Sequence, residues 1–158
     1  MTTPVTNWTK SRYWGFIRSA LRAAFRRYPP KYKVIQAAKR KKTHGKNAKQ
    51  KWEYQCAECK KYYPNKVVVV DHIKPAGSLK DYKDLPDFVE NMFCSEDGLQ
   101  VLCKPCHYLK TMEERGINPV VAQFKKLNAE EQQTKLKKLG LQAGSNAAKR
   151  LKIFEDSL

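Results

Sequence analysis

Apolar side chains return with a helical period near the start of the chain. Trp14, Ile17, Leu21 and Phe25 fall at i, i+3, i+7 and i+11, which predicts an amphipathic helix with one buried stripe. Arg18, Arg22 and Arg26 recur at i, i+4 and i+8 on another face. Thr9 or Ser11 offers a cap for the start, and the Pro29–Pro30 pair is expected to end the helix. A short helix over Lys33–Lys41 and a polar, basic linker are expected next. His44 and Gly45 lie in that linker, where a lone histidine is read as solvated.

After residue 50 the pattern changes. Val67–Val70 is an unbroken β-branched run and reads as a buried strand, yet it ends in Asp71 and His72. Pro75 and Gly77 break regular structure, and a short helix is expected over about Pro86–Phe93. "GLQVLC" is a second short strand. "CKPCHYLKTMEERG" then reads as a helix with Pro105 near its first position and Gly116 as its stop. Further helices are expected over about 119–127, 129–139 and 146–156, with Asn128 and Ser145 as caps and Gly140 and Gly144 as breaks. Strands gathered in the middle and helices at both ends give an α+β class. Three segments follow: 1–50, 51–116 and 117–158.

Charge sharpens that division. The chain of 158 residues carries a net +17. Residues 1–55 hold 15 Lys/Arg against one acid, Glu53, whereas residues 56–116 hold 9 against 10 and residues 117–158 hold 8 against 4. The excess is therefore an N-terminal feature on a nearly neutral middle, and it points to a polyanionic partner, DNA before membrane. The opening "MTTPVTNWTK" lacks a signal-peptide pattern, and no apolar run reaches the roughly 20 residues that span a bilayer. A cytoplasmic protein is expected, and in a reducing compartment five cysteines suggest metal before disulfides.

Two C-x2-C pairs, Cys56/Cys59 and Cys103/Cys106, are separated by 43 residues. Each pair presents two sulfurs at a spacing that suits one tetrahedral ion, so together they predict a fully ligated structural Zn²⁺. Cys94 is left over and is read as a small apolar residue. Clipping the two pairs together would bring the end of the valine strand beside the start of the "CHYLKT" helix. On that helix Cys106, Leu109 and Met112 share one stripe, expected to face inward, and His107 stands about 100° round from Cys106. Lys110 and Thr111 share the face of His107. Asp71, His72 and His107 are thus expected to converge.

The run "CAEC…VVVVDHIKPAG…LQVLCKPCHYLKT" resembles the HNH (ββα-metal) endonucleases, particularly the small zinc-stapled ones carried by bacteriophages. The resemblance covers roughly Tyr54 to Arg115. It implies a ββα-metal core with a structural zinc on four cysteines, flanked by helices that contact DNA. By position, it implies that Asp71 and His107 hold one catalytic divalent cation, Mg²⁺ or Mn²⁺, and that His72 is the general base. The flanks would then be DNA-contact extensions, with Arg18, Arg22, Arg26 and Lys110 facing phosphates. Cleavage would leave 3′-hydroxyl and 5′-phosphate ends, in the host cytoplasm if the chain is phage-encoded, with no organic cofactor and no membrane. The chain departs from the family at one place. A middle Asn that buttresses the catalytic loop usually precedes "LQ", and here Gly98 stands there. Asn91 and Asn65 are read as ordinary surface asparagines rather than substitutes. A zinc-stapled DNA-binding module that has lost cleavage is the alternative.

Overall fold

The computed structural model describes residues 7–42, 51–142 and 144–158; His44 and Gly45 lie outside them. Among the described residues the chain forms an α+β fold with seven α-helices and two small antiparallel sheets. Helix α1 (Lys10–Phe25) opens on Thr9, whose hydroxyl accepts from the Arg12 N–H at 3.2 Å. Its predicted stripe is its packing face. Trp14 is buried with Leu79, Phe88 and Met92, and Ile17, Leu21 and Phe25 flank that cluster.

The proline pair does not simply stop a helix. Helix α2 (Pro29–Ala37) begins on it, because the first turn of a helix has no use for the N–H that proline lacks. Tyr28, the residue before the prolines, takes the extended backbone that a following proline favours. Helix α2 ends early, and Lys39–Lys41, expected as helix, forms strand β1 instead. Strand β1 pairs antiparallel with β2 (Trp52–Gln55), which pairs with β3 (Tyr62–Tyr63). Three consecutive basic residues carry no hydrophobic alternation, so nothing in β1 itself announces a strand.

The second sheet joins β4 (Val68–His72) to β5 (Leu99–Cys103), with Asp71 opposite Gln100 and His72 opposite Leu99. Val67 belongs to a 3-10 turn before β4. The valine strand is half-buried along its whole length, and β5 supplies the buried strand of the pair. Among the described residues β5 is the only strand bonded to β4, which therefore lies at the margin of its sheet. Helix α3 (Leu85–Met92) buries Phe88 and Met92. Helix α4 (Lys104–Glu114) follows β5 directly, and Gly116 takes the left-handed backbone (φ +62°) just past its end.

The chain divides into two compact units, Met1–His107 and Tyr108–Leu158. The first takes in α1, α2 and β1, expected in a basic arm, together with both sheets. In the second, α5 (Pro119–Lys126), α6 (Ala129–Lys138) and α7 (Ala147–Glu155) enclose Phe124, Leu136 and Phe154. The rings of Phe124 and Phe154 stack at 4.1 Å. Asn128 caps α6 in a reciprocal capping box with Glu131; Asn146, rather than Ser145, caps α7. The buried Arg150 donates to Gln132 Oε1 at 2.9 Å, and Gln132 in turn donates to the Leu127 carbonyl at 3.0 Å, tying α5, α6 and α7 together. Among the described residues, no helix is long and apolar enough to cross a membrane.

Candidate functional site

The first C-x2-C pair sits on a tight turn between β2 and β3. Lys60, directly after Cys59, adopts a left-handed backbone (φ 59°), and its N–H bonds the Cys56 carbonyl at 3.0 Å. The same turn is docked on the second sheet, for the Ala57 N–H donates to the Val101 carbonyl at 2.7 Å. The second pair straddles the junction of β5 and α4. As a result the sulfurs of Cys56, Cys59, Cys103 and Cys106 lie within 4.8 Å of one another. Four sulfurs about 2.3 Å from one tetrahedral zinc would stand about 3.8 Å apart; Cys59 and Cys103 are 4.0 Å apart. The cluster can hold one metal ion. None of the five cysteines forms a disulfide.

Hydrogen bonds from the protein reach two of these sulfurs, those of Cys56 and Cys59. The Cys103 N–H points at the Cys56 sulfur at 3.3 Å. The Tyr63 hydroxyl lies 3.5 Å from the Cys59 sulfur; its donation is the largest reason that the Cys59 thiol is lowered to about 6, with a backbone N–H adding to it. The same bond pushes the Tyr63 phenol up. Cys106 is pushed up to about 12, first by its contact with Cys103 and then by burial. An ion that replaces these shared protons resolves the competition among the sulfurs.

One residue beyond Cys106, the imidazole Nε2 of His107 lies 3.6 Å from Asp71 Oδ1. That separation is long for a direct hydrogen bond. Neighbouring ligands of an octahedral cation at about 2.1 Å stand about 3.0 Å apart, and this pair is spaced somewhat wider than that. The structure therefore brings Asp71 and His107 together. His72 is the last residue of β4, where the strand passes into the loop that carries Pro75 and Gly77. There its Nε2 lies 2.9 Å from the Met92 carbonyl, and its ring packs on Phe25 with centroids 4.6 Å apart. A carbonyl only accepts, so Nε2 carries the proton. In the neutral ring Nδ1 is then the basic nitrogen.

The loop after His72 is held by main chain. The Ile73 N–H donates to the Gly98 carbonyl at 2.9 Å. A Cβ on Gly98 would stand 2.7 Å from the Cys94 sulfur, so Cys94 occupies the space that a side chain at position 98 would need. That gives the left-over cysteine a packing role. The sequence does not single out Phe25, Met92 or Cys94 as site residues; Phe25 reads as part of a helical stripe and Cys94 as a small apolar residue.

Compared with protein-family models, curated proteins and solved structures, the chain matched none.

Among the expected DNA-contact residues, Arg22 and Arg26 are exposed and Arg18 is half-buried. Lys110 forms an ion pair with Glu114 one turn along α4. Leu109, expected to face inward, is 50% exposed, so the inward stripe of α4 does not run through it.

Proposed function

We propose that the chain is a metal-dependent endonuclease of the HNH type, hydrolysing phosphodiester bonds in DNA. The observation that carries the reading is the 3.6 Å approach of Asp71 and His107, one residue from the cysteine cluster and one from an imidazole with a defined tautomer. The four sulfurs would hold a structural zinc that stays saturated and unreactive. Asp71 and His107 would hold Mg²⁺ or Mn²⁺, which when bound stabilises charge on the 3′ oxygen as it leaves. His72 takes the proton of the attacking water at Nδ1, while the Met92 carbonyl holds its Nε2–H. The water oxygen bonds to phosphorus, the bond to the 3′ oxygen breaks, and solvent protonates that oxygen. The ends are 3′-hydroxyl and 5′-phosphate. Arg18, Arg22 and Arg26 attract the phosphate backbone, and the reaction belongs in the cytoplasm, where thiols stay reduced.

The test compares zinc-loaded wild type with zinc-loaded His72→Ala on supercoiled plasmid with Mg²⁺ or Mn²⁺. General-base catalysis supplies about 10²–10⁴-fold, so the variant should cut slower by that factor while keeping its zinc and its DNA affinity. Equal cutting by the two removes His72 from the reaction. No cutting by wild type on several DNA substrates leaves a zinc-stapled DNA-binding module.

A further inference from the structure

The hairpin of β1 and β2 carries a second concentration of chemistry that the phosphodiester site does not use. Lys39, Arg40, Lys41 and Lys42 follow one another along β1 and just past it, with Lys51 opposite Lys42, against the single acid Glu53. Arg40 engages that acid at 2.9 Å, and its guanidinium carbon lies over the Tyr62 ring, 3.1 Å from the centroid. The strand's lysines remain. Lys41 stands opposite Trp52 in the register, and Lys39 places its ammonium 4.2 Å from the centre of the Trp52 ring. Trp52 is 46% exposed and belongs to neither buried cluster of the first unit.

A lone exposed aromatic is ordinary on a protein surface. Trp52 differs in its setting, because an indole face stands among cations that are spaced along an extended strand. We propose that this hairpin binds single-stranded or unpaired DNA, with Trp52 stacking one base and Lys39 and Lys41, which share its face by strand alternation, taking the flanking phosphates. Charge complementarity selects a polyanion. The flat ring selects the unpaired form, since a duplex hides its base faces within its own stack and shows only edges in its grooves. An aromatic face inside a basic track is the device by which proteins hold single strands. The proposal rests on DNA as the partner and not on cleavage. It assigns the substrate a structural class, DNA with an unpaired stretch such as a branch, a flap or a melted site.

The experiment measures equilibrium binding by fluorescence anisotropy, with zinc-replete protein in buffer free of Mg²⁺ and Mn²⁺. The probes are a fluorescein-labelled oligothymidylate and a blunt duplex of the same length. Trp52→Leu should weaken binding to the single strand by about 5- to 150-fold, the stacking of one base, and binding to the duplex by less than about twofold. Trp52→Phe keeps a stacking face and should recover most of the affinity. Zinc content and melting temperature check that each variant is folded. Equal losses on the two probes, no loss on the single strand, or the same loss with phenylalanine as with leucine would each overturn the proposal. No binding by wild type would overturn it too. Because no step depends on cutting, failure of the His72 test leaves this result standing, and the converse also holds.

Discussion

The ring of Phe25, the last residue of α1, lies on the imidazole of His72 at the end of β4, with 4.6 Å between centroids and 31° between planes. The N-terminal helix therefore reaches the candidate general base itself. Replacing Phe25 with alanine should cost about 2 kcal/mol of stability, below the roughly 3–5 kcal/mol of a fully buried phenylalanine because this one is half-buried. It should also slow cleavage about tenfold at temperatures where the variant is folded, through a loosened His72. Urea unfolding followed by single-turnover cleavage checks both. Phe25→Leu should restore stability better than it restores cutting; recovery of the two in parallel would reduce Phe25 to a core residue.

One zinc per chain is expected on the four sulfurs. Cys103→Ser should abolish tight binding and unfold the region from β2 to α4, because short strands with a small buried cluster depend on the ion for much of their folding free energy. Native mass spectrometry and circular dichroism test this. A folded wild type without zinc would sink it.

Tyr63 should tune that ion. Its hydroxyl is the chief cause of the lowered Cys59 thiol, near 6. A depressed thiol favours the folded, ionised site above its ordinary range near 9, and that advantage fades as pH falls through about 6. Tyr63→Phe removes the donor, lets protons compete better for Cys59, and should move half-release of zinc to higher pH. Loss of such a partner costs about 10–100-fold in metal affinity. Competition with a chromogenic chelator between about pH 5 and 8 gives the answer, and an unmoved midpoint counts against it.

Gly98→Ala should destabilise by about 1–3 kcal/mol through overpacking, since the new Cβ meets the Cys94 sulfur at 2.7 Å. Cys94→Ala in the same chain should return part of that loss, because the sulfur is the nearer obstacle. A double-mutant cycle in urea measures the coupling. Additive losses would mean that the two positions do not share the space.

Arg18, Arg22 and Arg26 should contribute DNA affinity without sequence preference. Changing all three to glutamine should lower the slope of log affinity against log salt by up to about three, at roughly 0.9 for each phosphate that is no longer neutralised. Substitution is the informative route here. Removal of residues 1–50 would also take away Trp14, which is buried against Leu79, Phe88 and Met92.

What the sequence made legible follows from how local each signal is. Spacing alone points to one cluster of Cys56, Cys59, Cys103 and Cys106 that could hold an ion, because each C-x2-C pair fixes its own geometry. The stripe from Trp14 to Phe25 was equally plain, as it needs only the helical period. The sequence could not say that Phe25 meets His72, for that contact joins residues 47 positions apart and depends on how α1 docks. Strand β1 was missed because "KRK" has strand geometry imposed by its partner β2 rather than by its own composition. The halves of the proposed catalytic site also differ in legibility. Asp71 and His107 were expected to meet and do, whereas the orientation of His72 comes from a main-chain oxygen, which leaves no mark on the identity of residue 92.

That oxygen has a consequence for any mutational survey of this chain. A scan that swaps side chains cannot delete the Met92 carbonyl; it registers only the lost packing of a thioether that is 3% exposed. Changes at position 92 leave the bond holding the His72 ring in place, and a change at His72 removes the proposed base along with the bond. Exposing it calls for chemistry on the polypeptide itself. Joining residues 92 and 93 through an ester in place of the amide weakens the carbonyl as an acceptor while every side chain stays the same.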